Sequence, residues 1–320
     1  MVILSIVRGN DMEKNGISIF EYANHFGLIW INGDRDAMNR MITEKGINRP
    51  GLELAGFFDY AISKRLVFIG NKESSYIKKM KEKDLKIAME FLMTDQCPGI
   101  IFCRDNECPP IVLEMAKERN FPLFSTNRST SELMIASLTY FEDVLAPQTS
   151  IHGTFIEVFS KGVIIIGESG IGKSETALEL IKKGHRLVSD DRVDVSYIRG
   201  KLIGKTPDLL INMMEVRGVG IIDISKMFGI NTIINTHDID LFIKLVPLNP
   251  ETTMDRLGNK SDYYELLGQK VPLLTIPVSG ARSVGDIIEV AVTNFKLKQT
   301  GYNSTYEFEE RLNELLKKGK

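Results

Sequence analysis

The eight residues Gly167-Glu168-Ser169-Gly170-Ile171-Gly172-Lys173-Ser174 fit the pattern G-x-x-x-x-G-K-[ST], and no other feature constrains the chain as strongly. A phosphate-binding loop of this kind lies between a strand and a helix. Here the apolar run Val163 to Ile166 precedes it, and Ala177, Leu178, Leu180 and Ile181 follow at helical spacing towards Lys183 and the stop signal Gly184. Average residue usage would produce the pattern by chance in roughly one chain of this length in a hundred, before the flanking elements are counted. Each fixed position has a physical task. The glycines let the backbone turn and approach oxygens closely, and consecutive amides at the helix start point at the anion, where the helix dipole favours negative charge. Lys173 adds a mobile cation. Ser174 supplies a hydroxyl for Mg²⁺, an ion that keeps several waters and takes few protein ligands beside phosphate oxygens. The sequence thus predicts a site for the phosphates of a nucleotide together with magnesium.

At 320 residues the chain has room for about two domains, each with its own apolar core. Its 40 basic and 42 acidic residues leave a formal charge of −2, and no basic block stands apart, so nucleic acid is not an expected partner. Lys317, Lys318 and Lys320 form a short basic tip of the kind common at a solvated helix end. The first residues are too briefly apolar for a signal-peptide core, and no run approaches the roughly 20 apolar residues of a membrane span, so a cytoplasmic protein is expected. Cys97, Cys103 and Cys108 lack the doubled C-x-x-C spacing of a structural zinc site and read as free thiols.

No internal repeat organises the chain; periodicity and turn signals divide it into residues 1–147 and 148–320. In the first part, Arg65 to Ile69, Gly99 to Cys103 and Pro122 to Ser125 read as strands, with a helix from Pro110 to Arg119 between the last two. Ser129 and Glu132 form a capping box for a helix whose apolar face is Met134, Leu138, Phe141 and Leu145, and Ala146-Pro147 ends it. The second part opens with strands Phe155 to Val158 and Val163 to Ile166, joined by the turn Ser160-Lys161-Gly162. After the phosphate loop and its helix come the pair Val193 to Tyr197 and Leu202-Ile203, turning at Gly200, and a half-buried strand Asp240 to Leu245. Two helical patterns follow, one burying Ile287, Ile288, Ala291, Val292 and Phe295. The other carries the Ser304/Glu307 capping box and the stripe Phe308, Leu312, Leu315 and Leu316, suited to core or subunit packing. The expected fold class is α/β: an N-terminal α/β domain, then a P-loop domain with a mixed, largely β core and C-terminal helices.

A phosphate loop alone does not separate kinases, switch NTPases and nucleotide sensors. Asp190 and Asp191, soon after the loop's helix, are the candidates that decide. One could hold the metal or its waters while the other deprotonates an acceptor hydroxyl; without the phosphate loop the pair would read as a turn. Asn259-Lys260-Ser261-Asp262 matches the N-K-x-D that reads guanine in GTPases, but no buried strand leads into it, and a GTP switch is the minor alternative.

These residues together resemble one family, the bacterial HPr kinase/phosphorylases. The block Gly167 to Leu180 is similar to the family's phosphate loop almost throughout, as is Arg186-Leu187-Val188-Ser189-Asp190-Asp191. Glu215-Val216-Arg217-Gly218-Val219-Gly220-Ile221-Ile222-Asp223 matches its signature, His152-Gly153 stands at the expected distance upstream, and Arg49 to Gly56 matches its N-terminal landmark. The resemblance implies a bifunctional enzyme of carbon regulation. It phosphorylates a seryl residue of the phosphocarrier HPr with ATP or pyrophosphate, and removes the phosphate by phosphorolysis with inorganic phosphate, releasing pyrophosphate. It also implies a homohexamer. By the same resemblance Asp191 is the base that takes the seryl proton and, protonated, the acid of the reverse reaction, with Asp190 beside it. His152, Lys173 and Arg256 match the other active-site positions, and Ser174 and Glu215 match the magnesium ligands. Arg217, Gly218 and Gly220 belong to the signature. Pro277 to Arg282 departs from a more arginine- and proline-rich segment tied to dephosphorylation, though Arg282 is retained. Taken alone, His152, Arg256, Glu215 and Arg217 would read as ordinary structural, surface or loop residues. The alternatives left are a P-loop kinase of a small metabolite and a non-catalytic nucleotide sensor.

Overall fold

The strand Lys161–Gly167 organises the second half of the chain, pairing antiparallel with Thr154–Val158 and parallel with Leu241–Pro247. A computed structural model describes residues 16–60, 62–248, 262–278 and 283–318. It divides into two units, Met1–Ala146 and Pro147–Lys320.

In the first unit a five-stranded sheet has the order Ile29–Asn32, Leu123–Thr126, Ile100–Cys103, Leu66–Ile69, Ile47–Asn48. All neighbours are parallel except the Ile29–Asn32 edge, which is antiparallel. Leu66–Ile69 and Ile100–Cys103 are buried at every position, as expected of parallel strands covered on both faces. Helices Asn71–Ile77, Glu82–Leu92 and Pro110–Glu118 supply one apolar layer, and Ile19–Phe26 with Thr130–Val144 supplies the other. The Ser129/Glu132 capping box forms, but the buried face of its helix is Thr130, Leu133, Ser137 and Phe141, and Leu138 is exposed. Ser137 Oγ donates to the Leu133 carbonyl and shares a 2.6 Å hydrogen bond with Tyr22 Oη. A satisfied hydroxyl therefore occupies the core face and breaks the apolar period that the sequence reading followed. All three cysteines are free thiols.

The second unit stacks two sheets. The six-stranded sheet has the order Arg186–Ser189, Thr154–Val158, Lys161–Gly167, Leu241–Pro247, Gln269–Val278, Asp262–Leu266. A four-stranded antiparallel sheet, ordered Thr236–Asp238, Lys201–Lys205, Arg192–Ile198, Gln148–His152, closes an apolar layer on one face through Val193, Val195 and Leu202. Helices Lys173–Lys182 and Val284–Gln299 cover the other face. Glu179 joins these helices by accepting from Ser283 Oγ and from Gly285 N–H.

Three local expectations change. The hairpin before the phosphate loop turns at Phe159 and Ser160, both at positive φ, while Gly162 lies inside the strand. A Cβ at Gly162 would stand 1.8 Å from the Asp238 carbonyl oxygen, so the glycine serves close backbone approach. Leu241–Pro247 is a central strand, buried on both faces over most of its length. On the helix Ser304–Lys318, Asn303 Oδ1 accepts from Thr305 N–H one residue before the expected cap, and Phe308, Leu312, Leu315 and Leu316 are exposed.

Candidate active site

Four strands of the six-stranded sheet run in the same direction: Arg186–Ser189, Lys161–Gly167, Leu241–Pro247 and Gln269–Val278. Their carboxyl ends lie along one edge, where open α/β sheets bind ligands. From that edge the chain continues into Asp190-Asp191, into the phosphate loop, and beyond residues 247 and 278. Arg256, Arg282 and the first three residues of the N-K-x-D match lie outside the described residues. Pro277 pairs with Val246 at the edge itself.

The phosphate loop connects Lys161–Gly167 to the helix Lys173–Lys182, and Gly172 caps that helix in the left-handed region at φ 103°. Lys173 Nζ donates to the carbonyls of Gly167 and Glu168 at 3.0 and 3.1 Å, so the ammonium folds back over the loop. Gly170 has φ 83°, and a Cβ there would meet the Arg217 guanidinium at 3.1 Å. The loop tip and the signature hairpin, Met213–Val216 with Gly220–Asp223, are therefore in contact through that guanidinium.

Beneath the loop, Asp190 is 3% exposed and fully engaged. Ser174 Oγ lies 3.0 Å from both its oxygens, Thr154 Oγ1 donates to Oδ1 at 2.8 Å, and Glu215 N–H donates to Oδ2 at 3.3 Å. Burial pushes the carboxyl above its ordinary range. The hydrogen bonds from Thr154, Ser174 and Glu215 oppose that, and the neighbouring Asp191 charge adds to it. Ser174 spends its proton on Asp190, which leaves its lone pairs free for a cation. The Glu215 side chain is exposed on the same hairpin strand.

Asp191 sits at φ 67°, a left-handed conformation that an aspartate tolerates. Its carbonyl accepts from Gly153 N–H at 3.2 Å, and His152 Nδ1 lies 3.3 Å away, bonded in the tautomer that protonates Nδ1. His152 also pairs in register with Arg192. His152, Asp190, Asp191, Ser174, Glu215 and the loop are thus linked through adjoining contacts. Thr154 was not singled out from sequence, because a threonine within an apolar run reads only as a strand former. Among the described residues no group of three or more His, Cys, Asp or Glu would hold a metal alone. The Ser174 hydroxyl and the exposed Glu215 carboxylate, whose own N–H reaches Asp190, are hard oxygen donors of the kind that suit Mg²⁺, an ion that completes its shell with phosphate and water.

Residues 143–312 match the family described as HPr Serine kinase C-terminal domain, and residues 17–141 match the one described as HPr Serine kinase N terminus. The chain belongs to the HPr serine kinase family. A protein named HPr kinase/phosphorylase from Lachnoclostridium phytofermentans is 44% identical over 288 residues, 89% of this chain and 93% of that one. One of the same name from Streptococcus thermophilus is 40% identical over 289 residues, 90% and 94% of the two chains. A solved structure titled as the Hpr(Ser) kinase/phosphatase from Coxiella burnetii is 36% identical, covers 51% of this chain and 99% of its own, and has a TM-score of 0.46. A kinase of this family must bind the phosphates of its donor, the task for which the loop Gly167 to Ser174 is built.

Proposed function

We propose that this protein is a bifunctional HPr kinase/phosphorylase whose chemistry resides in residues 148–320. The observation that carries the reading is the coupling of the phosphate loop to a carboxylate pair: Ser174 bonds Asp190, and Asp191 adjoins His152 and Gly153 at the same sheet edge. Ser174 and Glu215, with Asp190 behind Ser174, would hold Mg²⁺, which when bound neutralises phosphate charge. Lys173 and the loop amides orient the donor, ATP or pyrophosphate. Asp191 takes the proton of the seryl hydroxyl as its oxygen attacks the terminal phosphoryl group, and the bond to the leaving diphosphate or phosphate breaks. In reverse, an oxygen of inorganic phosphate attacks the phosphoseryl phosphorus, the seryl oxygen departs with the proton of Asp191, and pyrophosphate forms. His152 and Arg256 bear on the charge of the transferring group.

The same reading makes HPr the protein substrate, carbon uptake the regulated process and the cytoplasm the place. No helix among the described residues is long and apolar enough to cross a membrane. It also includes a homohexamer, for which the exposed stripe Phe308, Leu312, Leu315 and Leu316 offers apolar contact area. The test is to supply Mg²⁺, terminally labelled ATP, HPr and a mixture of small hydroxyl metabolites together. Label on one HPr serine is expected; label only on a small molecule, or on nothing, overturns the proposal.

A further inference from the structure

Leu241–Pro247 is the central strand of the three neighbouring parallel strands, and such strands are normally apolar along their whole length because both faces are covered. Leu241, Phe242, Ile243 and Leu245 obey that rule, each 3% exposed or less. Lys244 breaks it. Lysine is also a poor strand former, so neither packing nor propensity accounts for it. No carboxylate pairs with Lys244 among the described residues, whereas Lys161 at the other end of the neighbouring strand bonds Asp240 at 2.9 Å.

Its place on the sheet follows from register. Alternation puts Lys244 on the face of Phe242, the face covered by the four-stranded sheet rather than by the helices. Lys244 is level with Ile166 on one side and Thr275 on the other, and Gly153 packs against Ile166 Cγ2 at 3.3 Å measured from its Cβ position. The covering sheet shields Ile164 and Phe242 but stops one row short, leaving Lys244 and Thr275 exposed. Lys244 therefore stands at the open mouth between the sheets, one row before Leu245, which pairs with the first residue of the phosphate loop. Gly153, whose N–H binds Asp191, is two strands away, about 10 Å at ordinary strand spacing. The lysine's flexible four-carbon stem spans much of that gap.

We propose that Lys244 binds the transferring phosphoryl group from its acceptor side. It contacts the phosphoseryl phosphate during phosphorolysis and the terminal donor phosphate during phosphorylation. This inference rests on the function proposed above. An ammonium with no carboxylate partner among the described residues attracts a dianionic group, and its position beside the loop puts it across from Asp191 rather than under the nucleotide. The ADP moiety gains nothing from it.

The experiment compares wild type, Lys244→Met and Lys244→Arg in both directions, with ADP affinity measured by calorimetry. Loss of one charge-assisted contact predicts that Lys244→Met lowers kcat/KM for both HPr and phosphoseryl-HPr by about tenfold to a hundredfold. ADP affinity should stay within about twofold, and Lys244→Arg should recover most of the loss. Values of kcat/KM for Lys244→Met within about twofold of wild type would overturn the role, as would loss of ADP binding together with activity. Failure of the wild type to act on HPr at all would remove the proposed function and this inference with it, whereas an active wild type with an indifferent Lys244→Met removes the inference alone.

Discussion

Replacing Thr154 by valine tests the arrangement around Asp190 without altering side-chain shape. Thr154 is 1% exposed and its hydroxyl donates to Asp190 Oδ1 at 2.8 Å, inside a site where Asp190 itself is 3% exposed. A hydrogen bond to a charged group of this kind contributes about 1.5–3 kcal/mol. Valine cannot replace it, and among the described residues Ser174 and Glu215 N–H are the donors that remain. Because the lost bond favours the ionised form, the Asp190 pKa, already raised by burial, should climb further. A carboxyl raised in the folded state costs little while it is protonated, and its penalty grows as pH rises from 3.8 through the folded value. The variant should therefore differ least from wild type in acid, and by about 1.5–3 kcal/mol near neutrality. The assays are urea unfolding at pH 4 and pH 7.5 and the pH profile of kcat/KM with Mg²⁺ and ATP. The acid limb should move to higher pH, and Thr154→Ser should restore it. An unmoved limb with unchanged stability at pH 7.5 would refute the reasoning that Thr154 supports an ionised Asp190.

Gly170→Ala places a methyl group 3.1 Å from the Arg217 guanidinium at φ 83°, so nucleotide affinity should fall by tenfold or more; unchanged binding by calorimetry would show that the contact yields at no cost. Asp191→Asn should nearly abolish phosphoserine formation while leaving nucleotide affinity within a few-fold, and full activity would remove Asp191 as the base. Burial raises the thiols of Cys97, Cys103 and Cys108 to about 12, 11 and 12, so at pH 8 less than about one in a thousand is thiolate. None should react with a disulfide reagent until the protein is unfolded; fast labelling of the native protein would contradict that burial.

The phosphate loop was legible because its glycines, lysine and serine are fixed by chemistry, and the apolar runs on either side are long enough to show their period. Asp190 and Asp191 stood out because they follow the helix of the phosphate loop, whereas His152 and Glu215 were legible only through resemblance, since each has an ordinary structural reading when taken alone. Thr154 was hidden because strand propensity and carboxylate orientation use the same residue type at a buried position. Leu241–Pro247 read as half-buried because Asp240 and Lys244 imitate alternation, although Asp240 bonds Gly162 N–H and Lys161, and Lys244 is the one exposed residue between Leu241 and Leu245. In the first unit, two-residue strands such as Ile17–Ser18 and Met41–Ile42 are too short to carry a period at all.

The central claim is that one phosphate site runs serine phosphorylation in both directions. Its most direct test follows a single sample by ³¹P NMR: HPr is phosphorylated with Mg²⁺ and ATP, nucleotide is removed, and excess inorganic phosphate is added. Phosphoserine should disappear while pyrophosphate appears in equal amount, and Lys173→Ala, given HPr for the first phase and phosphoseryl-HPr made by the wild type for the second, should lose both. Phosphoserine that disappears as inorganic phosphate without pyrophosphate, or a Lys173→Ala protein that loses one phase and keeps the other, would contradict it.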